Sequence, residues 1–155
     1  MSRINVKKSE IGERPGMTPH QAYRRTSQSG WTRIEMLLAI YDATIETLDA
    51  GIEALHNQRA AEYPALQLRA SQLCLLLISG VDANAAGVAA HIRELCLFSI
   101  DQIGDPEVDR WVHARNVMTT LREGFQGVRD EGIQLEAAGT IPSLTQHDTQ
   151  TLLHV

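Results

Sequence analysis

The sequence predicts an all-α protein, an antiparallel up-down-up-down four-helix bundle preceded by a flexible or capping N-terminal arm. Four segments carry apolar residues at steps of three and four, the spacing that places side chains on one face of a helix. Short segments rich in capping and helix-breaking residues separate them, and no segment shows the period-two alternation of a half-buried strand. The chain has 155 residues, 43% of them hydrophobic and only 5% aromatic. This length and composition suit one domain with an aliphatic core.

The N-terminal arm is predicted over residues 1–30, where Gly, Pro, Ser and Thr are frequent and no apolar period survives. Residues 1–33 contain seven Lys or Arg and two Glu, a charge of +5, whereas residues 34–155 contain seven Arg and seventeen acids, a charge of −10. A basic arm can indicate a nucleic-acid partner. Because no Lys/Arg run exceeds two residues, we expect instead a solvated arm attracted by the acidic body.

Helix one is predicted over about residues 33–57. Thr32 and Glu35 stand three residues apart before an apolar run, which predicts a capping box in which each side chain accepts from the other residue's backbone N–H. Apolar residues then recur in alternating steps of four and three over three heptads, as in helical bundles. The predicted core stripe is Ile34, Leu38, Tyr41, Ile45, Leu48, Ile52 and Leu55.

Helices two and three are predicted over about residues 64–80 and 84–103. Pro64 suits the first turn of a helix, where its missing N–H is not needed. Gly104 is typical of a position just past a helix end. The predicted core residues are Leu66, Ala70, Leu73 and Leu77 on helix two, and Val88, Ile92, Leu95, Cys96, Ser99 and Ile103 on helix three.

Helix four is predicted to begin at Asp105-Pro106-Glu107, which supplies an N-cap, a first-turn proline and a first-turn acid. Glycines at 124, 127 and 132 weaken its end. We therefore place the bundle domain at residues 31–136 and a flexible tail at 137–155. The predicted core stripe of helix four is Trp111, Ala114, Met118, Leu121, Phe125 and Val128.

The first three helices carry more apolar residues than one core stripe accounts for. A second apolar face would be a docking site for a partner helix, and the small side chains of helix one would allow close approach. A wide core, or a face that pairs with a second copy as a weak homodimer, would use the same residues. The second stripe comprises Met36, Ile40, Ala43, Thr47, Ala50 and Ala54 on helix one, Leu68, Leu75 and Ile78 on helix two, and Leu97 and Ile100 on helix three.

Motifs for catalysis or metal binding are scarce, so we expect neither an enzyme nor a cofactor. A di-iron bundle needs two Glu-x-x-His motifs, and only Glu53 with His56 provides one. Cys74 and Cys96 form no CxxC or zinc spacing and suggest buried, reduced thiols. No P-loop or dinucleotide-binding motif occurs. No apolar run reaches the ~18–20 residues of a membrane span, and the start lacks a secretory signal, so we expect a cytoplasmic protein.

Several motifs occur in the order found in one protein family. They are Ala22-Tyr23, the capped start at Thr32, Leu37-Leu38-Ala39-Ile40-Tyr41-Asp42, Arg69-Ala70-Ser71-Gln72 and Leu121-Arg122-Glu123-Gly124-Phe125. Over about residues 20–130 the chain resembles the flagellar secretion chaperone family FliS. Ala43 stands where that family usually has Gly, which marks the chain as a divergent member.

The resemblance implies a chaperone that holds the disordered C-terminal segment of flagellin in the cytoplasm, blocks premature polymerisation and docks on the cytoplasmic domain of the flagellar export gate. It also implies that the arm, through Tyr23, lies over part of the binding groove. The predicted partner-binding residues are Tyr23, Met36, Ile40, Tyr41, Ala43, Leu68, Leu75 and Ile78. The alternatives are a homo-oligomeric helical scaffold and a metal-binding bundle.

Overall fold

The structure is a computed structural model that describes residues 30–81, 84 and 86–144. The chain divides into two units, residues 1–30 and Trp31–Val155, and the second contains all the helices considered below. These are α1 (Arg33–His56), α2 (Tyr63–Ser79), α3 (Val88–Ile103), α4 (Val108–Gly127) and α5 (Arg129–Ala137). The described residues contain no strand. The all-α prediction is therefore confirmed.

The start of α1 is fixed by the predicted capping box. The backbone N–H of Glu35 donates to Thr32 Oγ1 over 3.4 Å, and the backbone N–H of Thr32 donates to Glu35 Oε2 over 3.0 Å. Two of the N–H groups that a helix start leaves without partners are thereby satisfied. The hydrogen bond from the Thr32 N–H, followed by contributions from its hydroxyl and from Arg129, lowers the pKa of the Glu35 carboxyl.

The start of α3 lies four residues later than predicted. The helix begins at Val88, and Gly87 before it has a φ of +71°. A helix cannot run through a residue in this left-handed conformation, which glycine adopts at little cost. The sequence pattern located the apolar face of α3 but not this turn.

The end of the predicted helix four differs from the expectation, because the chain forms two helices there. α4 ends at Gly127, Val128 stands between the helices with a φ of −109°, and α5 follows with Asp130 and Glu131 in its first turn. Glycine lowers helix propensity, whereas acids favour a helix N-terminus. Both effects favour a break at this point followed by a new start.

The segment after α5 turns back towards the beginning of α1. The N–H groups of Thr140 and Ile141 both donate to the carbonyl of Leu135, over 3.0 and 3.2 Å. The guanidinium of Arg33 then donates to the carbonyls of Pro142 and Ser143. Residues 138–143 of the predicted tail are thus hydrogen-bonded to the helical body, and residues 145–155 lie outside the described part of the chain.

Contacts between the helices close a ring, since α1 packs against α2 and α4, and α3 packs against the same two helices. α5 contacts α1 and α4. All four long helices contribute to one buried core. Its members are Tyr41, Leu48, Ala70, Cys74, Leu77, Cys96, Ile103, Trp111, Ala114 and Met118.

Trp111 ties one end of this core together. Its ring lies over Gly51 of α1, where a Cβ atom would come within 2.1 Å of Cζ3. Its Nε1–H donates to the carbonyl of Asp105 over 3.1 Å, and its ring centroid is 5.5 Å from that of Tyr63. The Tyr63 hydroxyl in turn donates to the carbonyl of Ile103 over 3.0 Å. A close-packed aromatic pair with satisfied polar tips thus joins all four long helices at this end.

Candidate partner-binding surface

α2 presents two leucines to solvent. Leu68 is 60% exposed and Leu75 is 55% exposed, and their separation of seven residues places them on one face of the helix. The opposite face carries the buried residues Ala70, Leu73 and Leu77. Of the three predicted binding residues on α2, Leu68 and Leu75 therefore lie at the surface. The third, Ile78, is half-buried and packs against the core.

α3 also carries exposed apolar side chains. Leu95, Leu97 and Phe98 are all exposed, although Cys96 between them is completely buried. Leu97 was predicted outside the core, whereas Leu95 was predicted within it. We call the exposed side chains on these two neighbouring helices the outer apolar face. It consists of Leu68 and Leu75 of α2 and Leu95, Leu97 and Phe98 of α3.

Val88, the first residue of α3, was also predicted in the core and is 76% exposed. Val88 stands in the first turn of α3, whereas the buried residues of this helix begin at Cys96, which explains the error. A periodic pattern indicates the face of the helix on which a side chain lies, but not the turn of the helix at which packing begins.

The second stripe predicted on α1 is mostly covered by the chain itself. Thr47 and Ala54 are buried, as the wide-core alternative expects. Met36, Ile40 and Ala43 are half-buried, and Ile40 packs against the core. The Thr47 hydroxyl donates to the carbonyl of Ala43 over 2.7 Å, which satisfies this buried polar group.

Ion pairs show which helix lies beside the other flank of α1. Asp42 and Asp49 lie on the opposite flank of α1 and pair with Arg122 and Arg115 of α4, at 2.7 and 3.0 Å. Because that flank borders α4, we infer that the flank of the second stripe borders α2, the other long neighbour of α1. Most of the surplus apolar residues of α1 therefore pack within the chain, whereas Ala50 is exposed.

Tyr41 contributes no surface for a partner. Its side chain is 1% exposed and stacks on Phe125 with ring centroids 5.5 Å apart. Burial, and to a lesser extent the neighbouring Cys96 and Cys74, raises the pKa of its phenol. Its assignment as a binding residue is corrected to a core position, which its place in the predicted core stripe had also indicated. Tyr23, predicted from the arm, lies outside the described residues.

A groove that the sequence did not predict opens between the start of α1, the end of α4 and α5. Its volume is about 440 Å³. Arg33, Glu131 and Glu136 line its polar edge. The apolar lining residues are Ile34, Leu37, Phe125, Val128, Leu135 and Ile141. Core periodicity marked Ile34 and Phe125, but nothing local indicated that α5 would pass beside them.

Reactive groups do not assemble in the described part of the chain. Among residues 30–81, 84 and 86–144, no three His, Cys, Asp or Glu side chains are placed to hold a metal ion. Burial raises the pKa of the Cys74 thiol to about 12 and that of Cys96 to about 11. Both thiols are therefore protonated at neutral pH and are poor nucleophiles. None of the helices within these residues combines the length and apolar character needed to span a membrane.

Searches against protein-family models, curated proteins and solved structures found no match to this chain. The functional assignment consequently depends on the residues and geometry described above.

Proposed function

We propose that the ring of helices is an antiparallel up-down-up-down four-helix bundle that binds an amphipathic segment of another protein on its outer surface. The observation that carries this proposal is the exposure of Leu68 and Leu75 on a helix whose opposite face is buried. Apolar side chains grouped in this way on a soluble protein usually mark an interaction site. The described thiols are buried in the apolar core and protonated, which favours no chemical step there, so we propose a binding protein without a cofactor.

The family resemblance narrows the range of possible partners. We propose that the chain is a cytoplasmic export chaperone that binds the disordered C-terminal segment of flagellin. The motifs from Ala22-Tyr23 to Phe125 support this assignment through their order and spacing. In this role the chain would prevent premature polymerisation and deliver the segment to the cytoplasmic domain of the flagellar export gate.

The outer apolar face suits a partner that orders on binding. Such a segment loses conformational entropy, so it needs a large apolar contact to bind at all. Burying about 1,000 Å² of apolar surface contributes about 25 kcal/mol before the costs of ordering and association are subtracted. Exposed apolar residues on two neighbouring helices provide a surface over which an extended or helical segment can lie.

Replacing both exposed leucines of α2 tests the proposal directly. We expect the double variant Leu68→Asp, Leu75→Asp to lose at least tenfold in affinity for a flagellin C-terminal peptide measured by calorimetry. Its thermal unfolding should change little, because neither side chain belongs to the core. Ile40 is a poorer choice for this test, since it packs against the core.

Gln72→Asp is the matched control. Gln72 is exposed on α2 between the two leucines, so this change adds a charge to the same region without removing an apolar side chain. We expect the control to bind much more tightly than the double variant. Unchanged binding by a folded double variant would refute the proposed surface.

A second copy of the chain is the alternative occupant of the outer apolar face. Light scattering at several concentrations, with and without the peptide, separates the two cases. A peptide-sensitive monomer supports the chaperone, whereas a tight dimer that the peptide does not dissociate would support a homo-oligomeric scaffold.

A further inference from the structure

α5 is attached to the rest of the chain far more weakly than the four long helices. It has nine residues, and none of them is buried. It contacts α1 and α4, and no long helix wraps its outer side within the described residues. A helix this short is unstable by itself, so its persistence depends on these contacts.

Beneath α5 lies an apolar floor that α5 fills incompletely. Ile34, Leu37 and Phe125 line the groove from the side of the long helices, and Gly132 of α5 faces them. A Cβ atom at Gly132 would lie 3.0 Å from Cδ1 of Ile34, so glycine permits the close approach. The groove nevertheless retains about 440 Å³ of open space. α5 is a loosely fitting occupant of this floor.

Two polar contacts at the edge of the groove, which we call ties, hold α5 in place. Arg129 Nη2 donates to Glu35 Oε1 over 2.7 Å, and the backbone N–H of Arg33 donates to Glu136 Oε2 over 2.8 Å. The second tie places a carboxylate on the first helical N–H of α1, the positive end of the helix dipole. Partly exposed ties of this kind exchange readily with water, because solvent replaces much of their energy.

We propose that α5 is a detachable cover over an apolar groove formed by Ile34, Leu37 and Phe125, and that an amphipathic helix of the partner takes its place. The seating of α5 defines the chemistry of this occupant. It is a helix with an apolar face towards Phe125 and a carboxylate that reaches the backbone N–H of Arg33. The identity of the partner rests on the function proposed above, whereas the detachment of α5 does not.

A reversible disulfide between α1 and α5 tests the cover. A Cβ atom at Gly132 would be 3.3 Å from the Cβ of Ile34, close to the ~3.5–4.5 Å separation in disulfides. In the variant Ile34→Cys, Gly132→Cys, oxidation should hold α5 in place and reduction should release it. The native Cys74 and Cys96 are buried and protonated, so they do not compete for oxidation.

Peptide binding by the oxidised and reduced forms of this one variant provides the matched comparison. We expect the oxidised form to bind the flagellin C-terminal peptide at least tenfold more weakly than the reduced form of the same variant. Equal affinity of the two forms would overturn the groove as a partner site.

Hydrogen exchange tests detachment without any partner. In the wild-type chain the amides of α5 should exchange at least tenfold faster than those of α4, and Arg129→Ala should increase their rate further by removing one tie. Exchange as slow as in α4 would overturn the detachable cover. If the wild type and both forms of the disulfide variant all fail to bind the peptide, the flagellin assignment and the proposed partner helix are both refuted. The exchange rates of α5 still test its detachment independently.

Discussion

The two ends of the helical body are built on different physical principles. At one end Trp111 is completely buried, lies against Gly51 and Tyr63, and donates its N–H to a loop carbonyl. At the other end α5 contributes no buried residue, and a groove remains beside Phe125. The first end has a closely packed aromatic centre, whereas the second has no such centre and holds α5 by hydrogen bonds and ion pairs at its edge.

The Trp111 end therefore stabilises the fold, whereas the α5 end can change its contacts. Close packing penalises any change of volume, so the Trp111 end fixes the arrangement of the long helices. Exposed polar ties contribute little free energy and can be exchanged. The same chain can therefore keep its core intact while the α5 end changes its occupant.

The largest expected effect concerns the aromatic residues at the two ends. Trp111→Ala should lower the free energy of unfolding by about 3–5 kcal/mol, because it empties a fully buried site. Phe125→Ala should cost clearly less, since Phe125 is half-buried beside an open groove. Urea denaturation of both variants measures the difference. Equal losses would mean that the two ends are equally well packed.

Substituting one glycine at each end with alanine compares how closely the two ends are packed. Gly51→Ala should destabilise the protein by about 1–3 kcal/mol, because the new Cβ would overlap the Trp111 ring. At Gly132→Ala the new Cβ would lie 3.0 Å from Cδ1 and 3.3 Å from Cβ and Cγ2 of Ile34, a much milder contact than the one at Gly51. The helix propensity of Ala, about 1 kcal/mol better than that of Gly, should roughly offset it.

Gly124→Ala is the control for propensity alone, as nothing lies within 4 Å of the added atom. Thermal unfolding should show a lower midpoint for the Gly51 variant and an equal or higher one for the other two. A stable Gly51 variant would contradict the packing described at Trp111.

The sequence predicted the parts of the fold that depend on local pattern. Steps of three and four located the four long helices, and the pairing of Thr32 with Glu35 located the start of α1. On α2 the same pattern separated the core line from Leu68 and Leu75. Each of these features is decided by residues within two turns of one another.

Features that depend on distant neighbours were left open or missed. Thr47 and Ala54 are buried because, as inferred above, α2 lies on that flank of α1, and a periodic pattern does not specify which neighbour covers a flank. α5 is held by Arg33 and by Glu35, which precede it by roughly a hundred residues. Its local sequence indicated a weakened helix end, but not a groove beside Ile34 and Phe125.

The smallest expected effect is the pH dependence of the α5 end. The pKa of Glu35 is lowered in the folded protein, chiefly by the Thr32 N–H, below the usual value for glutamate of about 4.3. The carboxylate therefore stabilises the folded state above that usual value, and this contribution is lost as the pH falls through the lower folded pKa.

Glu35→Gln removes the titrating group but leaves a side chain of similar size. Near neutral pH the wild type should be more stable than the variant by on the order of 1 kcal/mol, the scale of a helix cap. The gap should narrow in acid, when Glu35 itself becomes neutral and its ties to Thr32 and Arg129 weaken. Urea denaturation of both proteins at neutral and acid pH measures this gap. A gap that is constant with pH would show that the Glu35 charge does not hold this end together, and the contrast with the uncharged packing at Trp111 would then be lost.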